Sequence, residues 1–155
     1  MRTALLPASL VVAVALAAAV PAPAQAAARY QETSPSIAYS NGWLPETTMG
    51  WSGGRAVYAV WTWDLRATAT FSFTGSGVSW IGYKGKYGGY VLVYLDGALV
   101  SMIDTWAATE QVGVPVYSIG GLVTGPHTLK IELTGVRHPL ALASETAVDA
   151  FDVEQ

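Results

Sequence analysis

The hydrophobic period limits what this chain can fold into more than any other feature. From Ser36 onward, short segments alternate apolar and polar residues, and no stretch carries a sustained helical pattern. The clearest case runs from Ala67 to Phe73. Ala67, Ala69, Phe71 and Phe73 share one face, and Thr68, Thr70 and Ser72 share the other. That period of two suits a strand with one buried and one wet side. Val91 to Leu95 and Ala98 to Ile103 flank Asp96-Gly97. Asp-Gly between apolar runs predicts a type I′ hairpin turn, because both central residues need positive φ.

Further strands are expected over Ser36 to Ser40, Arg55 to Trp63, Val78 to Tyr83, Gln111 to Ser118, His127 to Leu133 and Val148 to Val153. Pro115 removes a ladder donor, so the Gln111 to Ser118 strand should lie on an edge or carry a bulge. Trp80 alternates with Val78, and Trp61 with Trp63, so these three rings are read as core. Short strands with one polar face imply an all-β chain, a jelly-roll β-sandwich of two antiparallel sheets.

The N-terminus reads differently. Met1-Arg2 is positive, Leu5 to Val20 is almost unbroken apolar sequence, and Ala24-Gln25-Ala26 supplies small residues for cleavage. This predicts a signal peptide over residues 1–26 and hence a secreted, extracellular protein. The apolar run is short for a span of about 20 residues and contains Pro7, so no membrane span is expected after its removal. Residues 27–35 read as a flexible leader, and residues 36–155 as the sandwich domain. The chain has no Cys, so core burial must stabilise it without disulfides. Charged residues make up 12%, with a net charge of −3 and no basic cluster, which argues against nucleic acid.

Four fragments then carry a resemblance. Ala67-Thr-Ala-Thr-Phe-Ser-Phe-Thr-Gly-Ser-Gly-Val-Ser-Trp-Ile-Gly82 is the longest. Val93-Tyr-Leu-Asp-Gly97, Gly121-Leu122 with Gly125-Pro-His-Thr-Leu129, and Val148-Asp-Ala-Phe-Asp-Val153 follow it. In this order they resemble the galactose-binding-like jelly-roll domains of secreted bacterial proteins. The resemblance implies a carbohydrate-binding-module-like architecture and names no ligand.

Catalytic residues are not evident. The chain has two His, no G-x-S-x-G elbow and no Cys/His cluster, so neither a serine hydrolase nor a zinc site is indicated. His127 follows Gly125-Pro126 and is expected to bond the turn backbone, while His138 beside Pro139 reads as solvated. Asp149 shares strand parity with Phe151 and Val153, which places it inward, where a carboxylate must be bonded. Backbone hydrogen bonding at the sheet end is expected to hold it. The resemblance keeps a structural calcium open, although the matching N-terminal Glu pattern is absent. No other cofactor is indicated.

Six Trp and eight Tyr form a surplus of aromatics. Flat rings pack against the C–H faces of sugars, and rings on loops are free to do so. The candidate ligand residues are Trp43, Tyr83, Lys84, Lys86, Tyr87, Tyr90 and Trp106. The two lysines lie in a Gly-rich turn that lacks a P-loop pattern. The reading is a non-catalytic module for an extracellular glycan; the alternative is a protein-interaction module without a sugar site.

Overall fold

The structure is a computed structural model and describes residues 27–61 and 66–155. The expected signal peptide and Trp63 therefore lie outside the described residues. Eleven strands follow one another: β1 (Ala28–Gln31), β2 (Ile37–Tyr39), β3 (Trp43–Glu46), β4 (Ala56–Val60), β5 (Thr68–Gly75) and β6 (Gly77–Lys84). Then come β7 (Gly89–Leu95), β8 (Ala98–Asp104), β9 (Gln111–Ile119), β10 (Gly125–Arg137) and β11 (Glu145–Glu154). A six-stranded sheet runs β3-β4-β11-β6-β9, with β1 also on β11, and a five-stranded sheet runs β2-β5-β10-β7-β8. Every pairing is antiparallel. This is the expected jelly-roll sandwich. Among the described residues, no helix is long and apolar enough to cross a membrane.

The inward faces are the apolar faces of the alternating segments. Ala69, Phe71, Leu129, Ile131, Val91 and Val93 of one sheet meet Val78, Trp80, Val148, Phe151 and Val153 of the other, all essentially buried. Phe71 stacks on Phe151 with ring centres 4.5 Å apart. The Trp80 indole N–H donates to the Ala147 carbonyl at 3.0 Å, so its one polar atom is satisfied inside the core.

The β7–β8 hairpin has the expected turn, with Asp96 at φ 50° and Gly97 at φ 82°. β9 is an edge strand, and its register against β6 shifts beside Pro115.

Four expectations need correction. Residues 28–31 are a strand rather than flexible leader: Ala28 to Gln31 pair with Val153 to Ala150, and Tyr30 packs on Phe71 at 5.2 Å. β4 pairs with only the first residues of β11, Glu145 to Val148. The rest of that edge would stay open without β1. Trp61 is not core. β4 ends at Val60, and the Trp61 ring is 41% exposed, lying across Gly135. Asp149 does not point into the sandwich. The register of β11 against β6 shifts between Val148 and Ala150, a bulge that breaks strict alternation. Its carboxylate therefore meets Ser52 of the β3–β4 loop on the outer face of the sheet. Finally, His138 is half-buried rather than solvated, because its ring stacks on Trp106 at 4.4 Å.

Candidate ligand site

A second, smaller apolar cluster lies on the outer face of the six-stranded sheet. Tyr58 of β4 and Ala147 of β11 are direct cross-strand partners there. With Ala56 and Tyr83 they form a floor on which Trp51 and Met49 pack. The segment from Thr47 to Arg55 thus folds back over the sheet and adds a wall. A 3₁₀ turn at Ser52–Gly54, with Gly53 at φ 70°, reverses it.

Asp149 pins this wall. Ser52 donates from Oγ to Asp149 Oδ1 at 2.9 Å and from its backbone N–H to Oδ2 at 3.2 Å. The carboxylate is fully buried, and two donors from one residue offset part of its desolvation. Asp149 therefore fixes Ser52, and through it the neighbouring Trp51. Among the described residues, no group of three or more His, Cys, Asp or Glu is placed to hold a metal ion.

The opposite side is the turn between β6 and β7. Gly85 donates to the Thr105 carbonyl at 3.0 Å, and the Leu142 N–H bonds Lys86 O at 2.8 Å. The buried Thr105 hydroxyl holds Gly89 from both sides, accepting from its N–H at 2.9 Å and donating to its carbonyl at 2.8 Å. Gly85 is required by close approach. The Tyr83 hydroxyl lies where its Cβ would stand, so any larger residue would displace that ring. The turn so held presents Tyr87, 42% exposed, beside Tyr83.

Between wall and turn is a cavity of about 260 Å³ lined by Glu46, Met49, Trp51, Tyr58, Tyr83, Tyr87, Glu145 and Ala147. Two features bear on what it can bind. Trp51 Nε1 is buried with no hydrogen-bond partner and the Tyr83 hydroxyl finds no acceptor for its proton, as is also true of Trp106 Nε1 outside the cavity. Such groups normally have one, since an unpaired buried donor costs about 1–3 kcal/mol. The other feature is two carboxylates. Glu46 is held below its usual range by the hydroxyl and backbone N–H of Thr48, which donate to Oε1 at 2.6 and 2.5 Å. Glu145 is pushed up to about 7, first by burial, then by the charges of Glu46 and Glu110.

Of the seven residues singled out from sequence, Tyr83 and Tyr87 line this cavity. Trp43 lies on β3, its indole donating to Thr68 O at 3.0 Å, and borders a separate cleft with Glu32, Tyr39 and Arg55. Lys84 is the half-buried last residue of β6, and Lys86 is exposed in the turn. Tyr90 is half-buried on β7, opposite Asp104. Trp106 bridges to Gly85 and stacks on His138. None of these five lines the cavity. Trp51, Tyr58, Glu46, Met49 and Glu145 were not singled out. The one sequence signal for Glu145 is its parity with Ala147 on a strand whose outer face bends under a loop.

The other conspicuous polar cluster is complete. His127 has Nδ1 2.8 Å from Asp96 Oδ2 and Nε2 2.8 Å from Val123 O, which is the turn-bonding role expected of it.

No family model matches the chain. Over 96 residues it is 32% identical to an A type blood α-D-galactosamine galactosaminidase of Flavonifractor plautii, a stretch covering 62% of this chain. It spans only 8% of that protein's length. Among solved structures it resembles a two-domain esterase active on acetylated mannans, with TM-score 0.64 and 13% identity, over 89% of this chain and 40% of that one. A family 35 carbohydrate-binding module from Clostridium thermocellum superposes with TM-score 0.53 at 12% identity, over 83% of this chain and 97% of the module. These likenesses show a shared jelly-roll β-sandwich fold.

Proposed function

We propose that this chain is a secreted, non-catalytic carbohydrate-binding module whose ligand occupies the cavity on the outer face of the six-stranded sheet. One observation carries the reading. Four aromatic rings and two carboxylates line one cavity. Sugar recognition needs both things, ring faces for C–H groups and convergent polar atoms for hydroxyls. At about 260 Å³ the cavity falls below the about 300–1,000 Å³ of drug-sized sites, so it suits one sugar ring. Two likenesses support the same reading. One is a fold that superposes on nearly all of a family 35 carbohydrate-binding module. The other is a sequence match confined to a small part of a sugar-processing enzyme.

Residues 1–26 act as a cleaved signal peptide in this reading, so mass spectrometry of the secreted protein should place its N-terminus between Ala27 and Arg29. Retention of Met1 would contradict secretion by this route.

The site is tested by glycan-array binding of the wild type and of Y87A, W43A and W106A. Tyr87 is partly exposed, so truncation removes ligand contact with little loss of packing. Y87A should lose retention at unchanged melting temperature, whereas W43A and W106A should retain binding if they fold. Retention by Y87A equal to wild type would move the site elsewhere.

One observation favours a protein partner instead. Leu99, Val100 and Met102 are all exposed on the edge strand β8. Loss of a protein contact on L99S/M102S, together with no glycan binding, would support that reading.

A further inference from the structure

We infer that the cavity on the outer face of the six-stranded sheet selects a sugar ring bearing a free, protonated amine. This deepens the glycan-binding reading and rests on it. The cavity is lined by two carboxylates and, among the described residues, by no basic side chain. Its two acids are unequal. Glu46 is fixed through Oε1 by the hydroxyl and backbone N–H of Thr48, with the Thr47 and Met49 backbone also favouring its charged form. Glu145 sits half-buried beside it, raised by burial and by neighbouring negative charge with no hydrogen bond to offset either.

A ring with hydroxyls alone leaves this negative field uncompensated. An ammonium group supplies three donors and a positive charge, the complement of two facing carboxylates. Around it stand Tyr58, Tyr83, Tyr87 and Trp51, whose ring faces attract a cation in a partly desolvated space. Acetylation would remove the charge, enlarge the group and present a carbonyl oxygen to two acids. The acids of the cavity then serve the amine, and its rings serve the apolar face of the same sugar.

The test compares three probes on the full mature chain at neutral pH, by calorimetry or NMR titration. They are the methyl glycosides of galactosamine and glucosamine, their N-acetylated forms, and the parent galactoside and glucoside. The amine probes should bind at least about tenfold more tightly than either other set, a difference of about 1.4 kcal/mol. E145Q, which keeps shape and removes the titrating charge, should collapse most of that preference, read as the ratio of amine-probe to parent-glycoside affinity. E46Q should do so more weakly. Equal binding of amine and parent glycosides, or preference for the acetylated forms, would overturn the inference and leave glycan binding standing. Failure of every probe and of every array glycan would instead sink the glycan-binding reading itself. Added salt supplies a second readout, since charge recognition must weaken with it and hydroxyl recognition must not.

Discussion

The two faces of the six-stranded sheet treat a buried tryptophan in opposite ways. On the inner face Trp80 is fully buried and its N–H reaches the Ala147 carbonyl at 3.0 Å. On the outer face Trp51 is 6% exposed, yet its N–H has no partner. The same contrast extends to their neighbours. Trp80 sits among Val148, Phe151 and Val153, with nothing charged to satisfy. Trp51 borders two carboxylates and the Tyr83 hydroxyl, whose proton finds no acceptor. The core satisfies the Trp80 donor within the chain, where nothing else will arrive. In the proposed reading, the outer face keeps its uncommitted acids for a ligand.

The largest effect should come from breaking the inner face. W80A removes a fully buried indole and leaves the Ala147 carbonyl without its donor, at a cost of about 3–5 kcal/mol. A domain of this size has about 5–15 kcal/mol to lose, so calorimetry should show a severely lowered melting temperature. W51F should behave differently, since it keeps an aromatic filler and deletes a donor that has no partner. Its melting temperature should fall far less than that of W80A, while ligand retention is lost. If W51F and W80A destabilise alike, the outer cluster is a second core and not a site.

The next effect concerns Glu145. Its folded pKa, about 7, lies above its ordinary 4.5. Between these values the folded chain keeps a proton that the unfolded chain releases. Stability should therefore fall as pH rises from about 4.5 through about 7 and level off above. Because water still screens part of this carboxyl, the loss should be discounted to about 1–2 kcal/mol. E145Q should flatten that limb of a melting-temperature profile. A wild-type profile that rises over the same range, or an E145Q profile of unchanged slope, would mean that the carboxyl is better solvated than its position implies.

What could be read from the sequence divides along the same line. The Asp96-Gly97 turn was legible because its chemistry is local, two adjacent residues able to take positive φ. Phe71, Leu129 and Val153 were legible as core because alternation in a strand fixes their side. The cavity was not, since its walls come from β3, the following loop, β4, β6, the next turn and β11, brought together only by register. Tyr58 opposite Ala147 is such a pairing. Parity itself failed at Asp149, where a bulge shifts the register between Val148 and Ala150. Trp43 reads as a loop residue for another reason. Asn41-Gly42 before it signals a turn, but the residue opens a strand, with its N–H bonded to Thr68.

A smaller effect tests the turn. G97V places a β-branched residue at φ 82°, where no neighbour crowds the site and the backbone alone objects. The expected loss is about 1 kcal/mol or somewhat more, read as a modest drop in denaturant midpoint. G97N, which tolerates positive φ, should recover most of it. An unchanged midpoint for G97V would show that the hairpin relaxes into another turn.

The smallest effect comes from the completed polar cluster, and it sharpens the comparison because it should depend on pH without any ligand. His127 is raised above its ordinary 6.5, first by the Val123 carbonyl and then by Asp96. Asp96 is held below its ordinary 3.8, first by His127 and then by the Thr128 N–H. The two signs bound a window. The histidine's contribution is fully present below 6.5 and fades as pH rises through its elevated folded value. The aspartate's is fully present above 3.8 and fades as pH falls through its depressed one. Both groups reach solvent, so the pair is weak and salt should weaken it further. H127Q should lower the melting temperature most between those two pH values and progressively less toward alkaline pH. This alkaline decline must be separated from that of Glu145, whose limb begins near its ordinary 4.5, two units below the histidine's. Comparing H127Q with E145Q and with the double variant does so, because the sites should contribute additively. A penalty for H127Q that stays constant across the whole range would mean that His127 works as a neutral ring, one nitrogen donating and the other accepting. That outcome would conflict with two carboxyl and carbonyl oxygens at 2.8 Å, both of which need a donor.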